Sequence, residues 1–127
     1  MNEDRYQATS VKRAAPDASR PDRFCMEVVW RDQRRSLYPW GYLRAICPCA
    51  NCRLQVISRV QTDAANATDC EATRIAQLQH IGHYALGIVW QDAHQMILPW
   101  DYLRALDPDE STVGARVAYL KTDKRLL

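Results

Sequence analysis

The sequence lacks several features that would assign the protein to a familiar functional class. No apolar run approaches the ~20 residues that a transmembrane helix needs. The opening residues, MNEDRYQATSVKR, contain acids and no apolar core of a signal peptide. Seventeen basic and 15 acidic residues give a net charge of +2, and the basic residues form no stripe of the kind that binds nucleic acid. We therefore expect neither a membrane nor a nucleic-acid partner.

The rest of the composition is that of an ordinary globular domain. The chain has 127 residues, 47% of them hydrophobic and 25% charged, which is enough for one core without disulfides. Its five cysteines are an odd number, and three of them are tightly clustered. This pattern does not fit a disulfide framework. We expect a reduced, cytoplasmic protein that uses its thiols for chemistry.

The cysteine cluster is the stretch CPCANC at residues 47–52. Thiolates bind zinc and iron–sulfur clusters, and the spacing of Cys49 and Cys52 is typical of metal-binding turns. Pro48 favours an extended backbone at Cys47, so that Cys47 and Cys49 point the same way. The stretch therefore predicts a metal-binding loop. The alternative is three buried or redox-active cysteines without a metal.

An internal repeat organises the rest of the chain. The segment WRDQRRSLYPWGYLRAIC, from Trp30, aligns without a gap with WQDAHQMILPWDYLRALD, from Trp90. Eight aligned pairs are identical: Trp30/Trp90, Asp32/Asp92, Pro39/Pro99, Trp40/Trp100, Tyr42/Tyr102, Leu43/Leu103, Arg44/Arg104 and Ala45/Ala105. Two copies are too few for a solenoid. We expect a duplicated strand–turn–strand–short helix unit folded about a pseudo-dyad.

This repeat predicts an α+β fold in one small domain, residues 24–110. In the first copy, residues 24–30 and 36–38 are expected to be strands, and residues 39–46 a short helix with Pro39 in its first turn. Residues 71–81, after a loop at 61–69, could form a helix or a strand, and the break at Gly82 favours a strand.

The ends of the chain are predicted to lie outside this domain. Residues 1–23 are expected to form a flexible arm with a short strand at 9–13. Residues 111–127 are expected to form a C-terminal tail with a basic end.

The repeated aromatic and charged residues are expected to serve the fold. The tryptophans should pack each helix on its sheet rather than stack on bases. Asp32 and Asp92 can cap backbone N–H groups in matching turns. Arg44 and Arg104 lie near helix C-termini, where a cation is favoured.

The chemistry should lie where the two copies differ. His94 stands where the first copy has Arg34, and Cys47 stands where the second copy has Asp107. A metal site accounts for both differences, with His94 as the candidate fourth ligand and Cys70 in reserve. A dyad that brings Cys47 to His94 also brings Asp107 to Arg34, so we predict a surface ion pair there.

These motifs resemble a known family. W-x-D at Trp30, LR-x-x-CPCA-x-C ending at Cys52, and W-x-D-x-H ending at His94 are similar to the gamma-butyrobetaine hydroxylase N-terminal-like domain over residues 24–106. In the hydroxylases this domain precedes a catalytic jelly roll and holds zinc through three cysteines and a histidine. Similar domains occur alone in bacteria and fused to Mrp-type ATPases that carry iron–sulfur clusters. The family's usual glycine after the turn aspartate is replaced here by Gln33 and Ala93, which leaves the turn type open.

The resemblance implies a site but no catalysis. The implied zinc ligands are Cys47, Cys49, Cys52 and His94, whose ligand atoms should lie within about 4 Å of each other. A 2-oxoglutarate oxygenase needs a 2-His-1-carboxylate iron site, and no H-x-D triplet occurs. A site with four protein ligands is closed and typical of structural zinc.

We therefore predict a metal-binding accessory or interaction domain that is not an enzyme. Its partner is expected to be another protein, by family analogy an Mrp-type ATPase or a 2-oxoglutarate oxygenase-like protein. The alternative is an accessory protein for iron–sulfur cluster assembly or delivery. A thiol redox enzyme is disfavoured, because its C-x-x-C motif normally begins a helix in a βαβ unit and here follows one.

Overall fold

Two three-stranded antiparallel sheets and four short helices make up the structure, a computed structural model that describes residues 6–14, 24–49, 52–61, 74–108, 110 and 112–123. The first sheet has the order β1 (Ala8–Ala14), β2 (Cys25–Trp30), β3 (Arg35–Pro39), and the second has β4 (Ile75–Ile81), β5 (Ala85–Trp90), β6 (Gln95–Pro99). Helices α1 (Trp40–Ala45) and α3 (Trp100–Ala105) follow β3 and β6 directly. A 3₁₀ turn at Arg53–Gln55 leads into α2 (Val56–Gln61), and α4 is Val113–Thr122. The predicted α+β class and duplicated unit are confirmed.

Each copy contains the same tight hairpin. In the first, Gln33 N–H donates to the Trp30 carbonyl oxygen (2.9 Å) and Trp30 N–H donates to the Arg34 carbonyl oxygen (2.8 Å). Gln33 has a φ of 73° and its counterpart Ala93 a φ of 71°. This is a type I turn followed by a left-handed residue, a common three-residue hairpin loop. Both turns therefore adopt a positive φ at a residue that is not glycine, although glycine adopts this conformation more easily than any other residue.

The duplicated unit is one strand larger than the sequence alignment indicates. Ala8 of β1 pairs with Trp30, and Ile75 of β4 pairs with Trp90, and a register shift follows each pair. β1 and β4 thus occupy equivalent edges of the two sheets. The alignment does not extend to them because β4 joins β5 through residues 82–84, whereas residues 15–24 separate β1 from β2.

The two copies meet about a pseudo-dyad marked by reciprocal hydrogen bonds. Tyr42 Oη donates to the carbonyl oxygen of Leu106 (2.5 Å), and Tyr102 Oη donates to that of Ile46 (2.6 Å). Each tyrosine therefore binds the end of the other copy's helix. A helix leaves its last carbonyls without intrahelical partners, and here the other copy supplies a donor.

All four tryptophans are buried, although Trp40 Nε1 has no hydrogen-bond partner among the described residues. Trp30 and Trp90 are almost fully buried, and Trp30 packs edge-on against Trp100 with ring centroids 5.9 Å apart. Trp30 Nε1 donates to Ser36 Oγ (2.8 Å), and Trp90 Nε1 to Met96 Sδ (3.0 Å).

The segments predicted as arm and tail contain ordered elements. β1 covers and slightly extends the strand expected at residues 9–13, and it pairs along β2. In the expected tail, α4 buries Val117 and Leu120 and packs against α2. Neither α2 nor α4 was predicted from the sequence, because the stability of both helices comes from tertiary packing rather than from length or propensity. The loop expected at residues 61–69 begins one residue later, because residue 61 ends α2. Its remaining residues, and residues 1–5 and 15–23 of the expected arm, lie outside the described residues. No helix in the described ranges is long and apolar enough to cross a membrane.

Candidate metal centre

Three cysteines and one histidine from opposite copies converge on one point. The Nε2 atom of His94 lies 3.3 Å from the sulfur of Cys47 and 4.0 Å from each of the sulfurs of Cys49 and Cys52. All four ligand atoms lie within 4.8 Å of one another, slightly more than the expected 4 Å. No other such group of histidine, cysteine and acidic side chains occurs in the part of the chain that the structure describes.

The end of α1 positions the cysteines. Cys47 N–H donates to the Arg44 carbonyl oxygen (3.3 Å), which keeps Cys47 attached to the last helical turn. The N–H groups of Cys52 and Arg53 both donate to the Cys49 carbonyl oxygen, at 3.0 and 2.9 Å. This turn brings the third thiol back towards the first two. Cys47 is buried, whereas Cys49 and Cys52 are half-buried.

The hairpin of the second copy positions His94. Asp92 Oδ1 accepts a hydrogen bond from the His94 N–H (3.1 Å), and left-handed Ala93 lies between them. His94 is thereby held directly before β6. The same cap recurs in the first copy, where Asp32 Oδ1 accepts from the Arg34 N–H (3.2 Å). The predicted capping role of both aspartates is confirmed.

An arginine from each copy fixes the turn of the other. Arg44 donates two hydrogen bonds to Asp92 (3.2 and 2.8 Å), and its guanidinium lies 5.6 Å from the centre of the Trp90 ring. Arg104 does the same with Asp32 (3.2 and 3.1 Å). These hydrogen bonds lower the pKa of both aspartates. Sequence reasoning assigned the arginines to helix ends and missed these pairs, although the repeated opposite charges were a usable signal.

The electrostatics of the cluster favour a bound cation. Burial raises the pKa of the Cys47 thiol to about 12, and the neighbouring sulfurs act in the same direction. Burial also lowers the pKa of His94, assisted by the charge of Arg44, so the imidazole is neutral at neutral pH. A neutral imidazole is the form that binds metals. A cation would stabilise the thiolates that burial otherwise disfavours.

The spacing fits one ion. A tetrahedral ion with Zn–S near ~2.3 Å and Zn–N near ~2.0 Å holds its ligand atoms about 3.5–3.8 Å apart. The observed contacts from His94 Nε2 span 3.3–4.0 Å. The four side chains could therefore hold a metal ion with small adjustments.

The corresponding junction on the other side of the dyad is an ion pair. Arg34 Nη2 lies 3.4 Å from Asp107 Oδ2, as predicted from the repeat. The pair is not at the surface, however, because the Asp107 side chain is fully buried. Ser36 Oγ donates to Asp107 (2.5 Å), and Glu110 lies 3.7 Å from Arg34 Nε. Sequence reasoning missed Ser36 and Glu110, which have no identical partner in the other copy.

The structure thus brings together all four predicted site residues. Cys70, the reserve ligand, lies outside the described residues. His80 and His83 are exposed and far from the cluster in sequence, and no contact places either of them at this site.

A duplicated α+β domain with a Cys3His group at the junction of its copies is the class of protein that these features define. Residues 19–104 match the family described as gamma-butyrobetaine hydroxylase-like, N-terminal, and the chain belongs to this family. The matched span includes all four residues of the cluster.

A solved structure supports the same fold. It is a protein of unknown function from Acidithiobacillus ferrooxidans, described as belonging to the DUF971 family. It is 27% identical in sequence, with a TM-score of 0.55, and the alignment covers 84% of this chain and 99% of that one. A search of curated proteins gives no match.

Proposed function

We propose that this protein is a metal-binding accessory domain that holds one zinc ion through Cys47, Cys49, Cys52 and His94. The convergence of four soft or borderline ligands within 4.8 Å carries the proposal. Three thiolates and one imidazole form one of the usual donor sets of structural zinc. Bound zinc would join the end of α1 to the second hairpin and so tie the two copies together.

The proposed role is non-catalytic. All four positions of a tetrahedral ion would be filled by protein side chains, which leaves no open position for substrate. The proposed partner is another protein, by family analogy an Mrp-type ATPase or a 2-oxoglutarate oxygenase-like protein. The proposed location is the cytoplasm, where thiols stay reduced.

An iron–sulfur accessory role is the second candidate. Its support is the number of cysteines, since thiolates are the usual ligands of such clusters. The spacing favours zinc, because a cluster places several atoms between its cysteine sulfurs and would hold them further apart than a single ion does.

Anaerobic purification followed by metal analysis and visible absorbance distinguishes the two. Zinc bound in a one-to-one ratio to a colourless protein is expected. The matched control is His94→Arg, which installs the residue of the first copy and should reduce metal content. Stoichiometric iron and sulfide with visible absorption would support the second candidate, and a wild-type protein without metal would refute both.

A further inference from the structure

One side of the metal centre faces a cavity. A cavity of about 350 Å³ borders Cys49. Its other described lining residues are Pro48, Gln95, Met96 and Ile97. Cys47, by contrast, is completely buried. The volume is in the range of small-molecule sites, so a second molecule can approach Cys49 through this cavity. Cys52 is half-buried but does not line the cavity.

The lining determines which ligand suits the cavity. None of the described lining residues carries a charge, and Pro48, Met96 and Ile97 offer apolar walls. A carboxylate or phosphate would lose its hydration there without a cationic partner. A neutral thiol loses little hydration on entry, and its sulfur matches the ligands already present.

The corresponding strand of the first copy differs at two of the equivalent positions. Ile97 is 53% exposed, whereas its counterpart Leu37 is less exposed and counts as half-buried. On that side Arg35, the counterpart of Gln95, is held by Glu27 (2.5 Å). The strand beside the metal centre is therefore more exposed at Ile97 than its counterpart is at Leu37.

We propose that a metal ion held here is exchanged through Cys49, with an incoming thiol entering the cavity and replacing Cys49 as a ligand. This inference rests on the proposed function and treats the ion as cargo. The bond from the incoming sulfur to the ion forms as the Cys49 bond breaks. The proton of the incoming thiol passes to the Cys49 sulfur, and no oxidation state changes. The incoming thiol comes from a small molecule or from a cysteine of an acceptor protein.

The test measures zinc transfer from the full chain. Zinc content is first established by metal analysis, and transfer to a chromogenic chelator is then followed at increasing concentrations of N-acetylcysteine amide, a neutral thiol. The rate should rise linearly with thiol concentration. A parallel arm uses a reduced zinc-finger peptide, and a rise in that arm alone identifies protein cysteines as the source.

Ile97→Trp should obstruct the cavity and slow the thiol-dependent rate about tenfold, a barrier of about 1.4 kcal/mol. The equilibrium zinc affinity should stay unchanged, because all four ligands remain. Leu37→Trp is the matched control at the equivalent strand position and should leave the rate unchanged. Equal slowing by both variants, or a transfer rate that is independent of both thiols, would overturn the inference. The proposed zinc site would not be affected by either result.

Alkylation supplies a measurement that needs no variant. In the zinc-loaded wild type, iodoacetamide followed by peptide mass spectrometry should modify Cys49 before Cys47 and Cys52. Earlier modification of either of the other two would overturn the assignment to Cys49. Absence of zinc in the purified protein would instead refute the proposed function itself.

Discussion

At the residue scale, the left-handed backbone of Gln33 and Ala93 is a local strain on both hairpins. Their φ values of 73° and 71° place a Cβ in a region that costs an L-residue about 1–2 kcal/mol. Glycine relieves that cost and loses part of the gain through its greater freedom in the unfolded chain.

We therefore expect Ala93→Gly to raise the free energy of unfolding by about 0.5–1 kcal/mol. Gln33→Gly should act alike, because the two turns are equivalent. The control Ala105→Gly lies in α3 and should lower stability by about 1 kcal/mol. Urea unfolding monitored by tryptophan fluorescence measures all three. A loss of stability in both turn variants would contradict the strain account.

Glu27 gives the first copy a pH-dependent contribution to stability. Burial raises the pKa of this carboxyl, but hydrogen bonds and charges from Arg35 and Lys12 outweigh burial and lower it overall. Arg35 Nη2 lies 2.5 Å and Lys12 Nζ 3.3 Å from the carboxylate. A carboxyl with a lowered pKa stabilises the folded state at pH values above its ordinary pKa of 4.5. That stability is lost as the pH falls through the folded-state pKa.

We expect Glu27→Gln to cost about 1.5–3 kcal/mol at pH 7, the range for hydrogen bonds to charged groups. The difference from wild type should shrink as the pH falls below 4.5 and through the lowered pKa of the folded wild type, where its carboxyl also becomes neutral. Urea unfolding at a series of pH values measures it. A difference that is constant with pH would show that the ion pairs are not its source.

At the element scale, the two tyrosine hydrogen bonds form a pair, although Tyr42 Oη also accepts a hydrogen bond from Arg116 Nη1 (3.3 Å). Tyr102 holds the Ile46 carbonyl, directly before Cys47, whereas Tyr42 holds the Leu106 carbonyl, directly before Asp107. Only the first bond therefore supports a proposed metal ligand.

Tyr102→Phe and Tyr42→Phe should each lower the free energy of unfolding by about 1–3 kcal/mol, because each leaves a buried carbonyl without its donor. Tyr102→Phe should additionally weaken zinc binding by roughly tenfold or more, the usual effect of losing a support for a metal ligand. Competition with a chelator of known affinity measures the difference. Equal zinc affinities in the two variants would show that the hydrogen bond at the end of α1 does not support zinc binding.

The repeat explains how much of the fold could be predicted. Strands and helices of both copies follow from an ungapped alignment, because the same residues repeat at Trp30 and Trp90. The four-residue site was predicted because the family resemblance and the differences between copies agree on His94. The alignment did not reveal that β1 corresponds to β4, because the linker from β1 to β2 is longer than the turn from β4 to β5. α2 buries Val56 and Val60, an i, i+4 pair that could have indicated a helix.

At the scale of the whole molecule, the dyad has two junctions closed by different means. One joins Cys47 to His94 and the other joins Arg34 to Asp107. The ion-pair junction needs no metal, so the fold should survive metal loss in part. Because metal binding energy adds to folding energy, the metal junction should still dominate the response to chelators.

We expect a chelator to lower the melting temperature of wild-type protein by at least about 5 °C. Cys49→Ser should melt below wild type and respond much less to the chelator. Differential scanning calorimetry with and without chelator measures both effects. If the melting temperature of the wild-type protein is the same with and without the chelator, the metal has no stabilising role.

X-ray absorption at the zinc edge of the purified full chain tests most directly whether Cys47, Cys49, Cys52 and His94 hold a single zinc ion. The account predicts a four-coordinate first shell of three sulfurs near ~2.3 Å and one imidazole nitrogen near ~2.0 Å. In His94→Arg, any zinc that remains should have lost the nitrogen contribution while keeping the three sulfurs. A first shell made only of nitrogen and oxygen atoms, or an unchanged spectrum in His94→Arg, would contradict it.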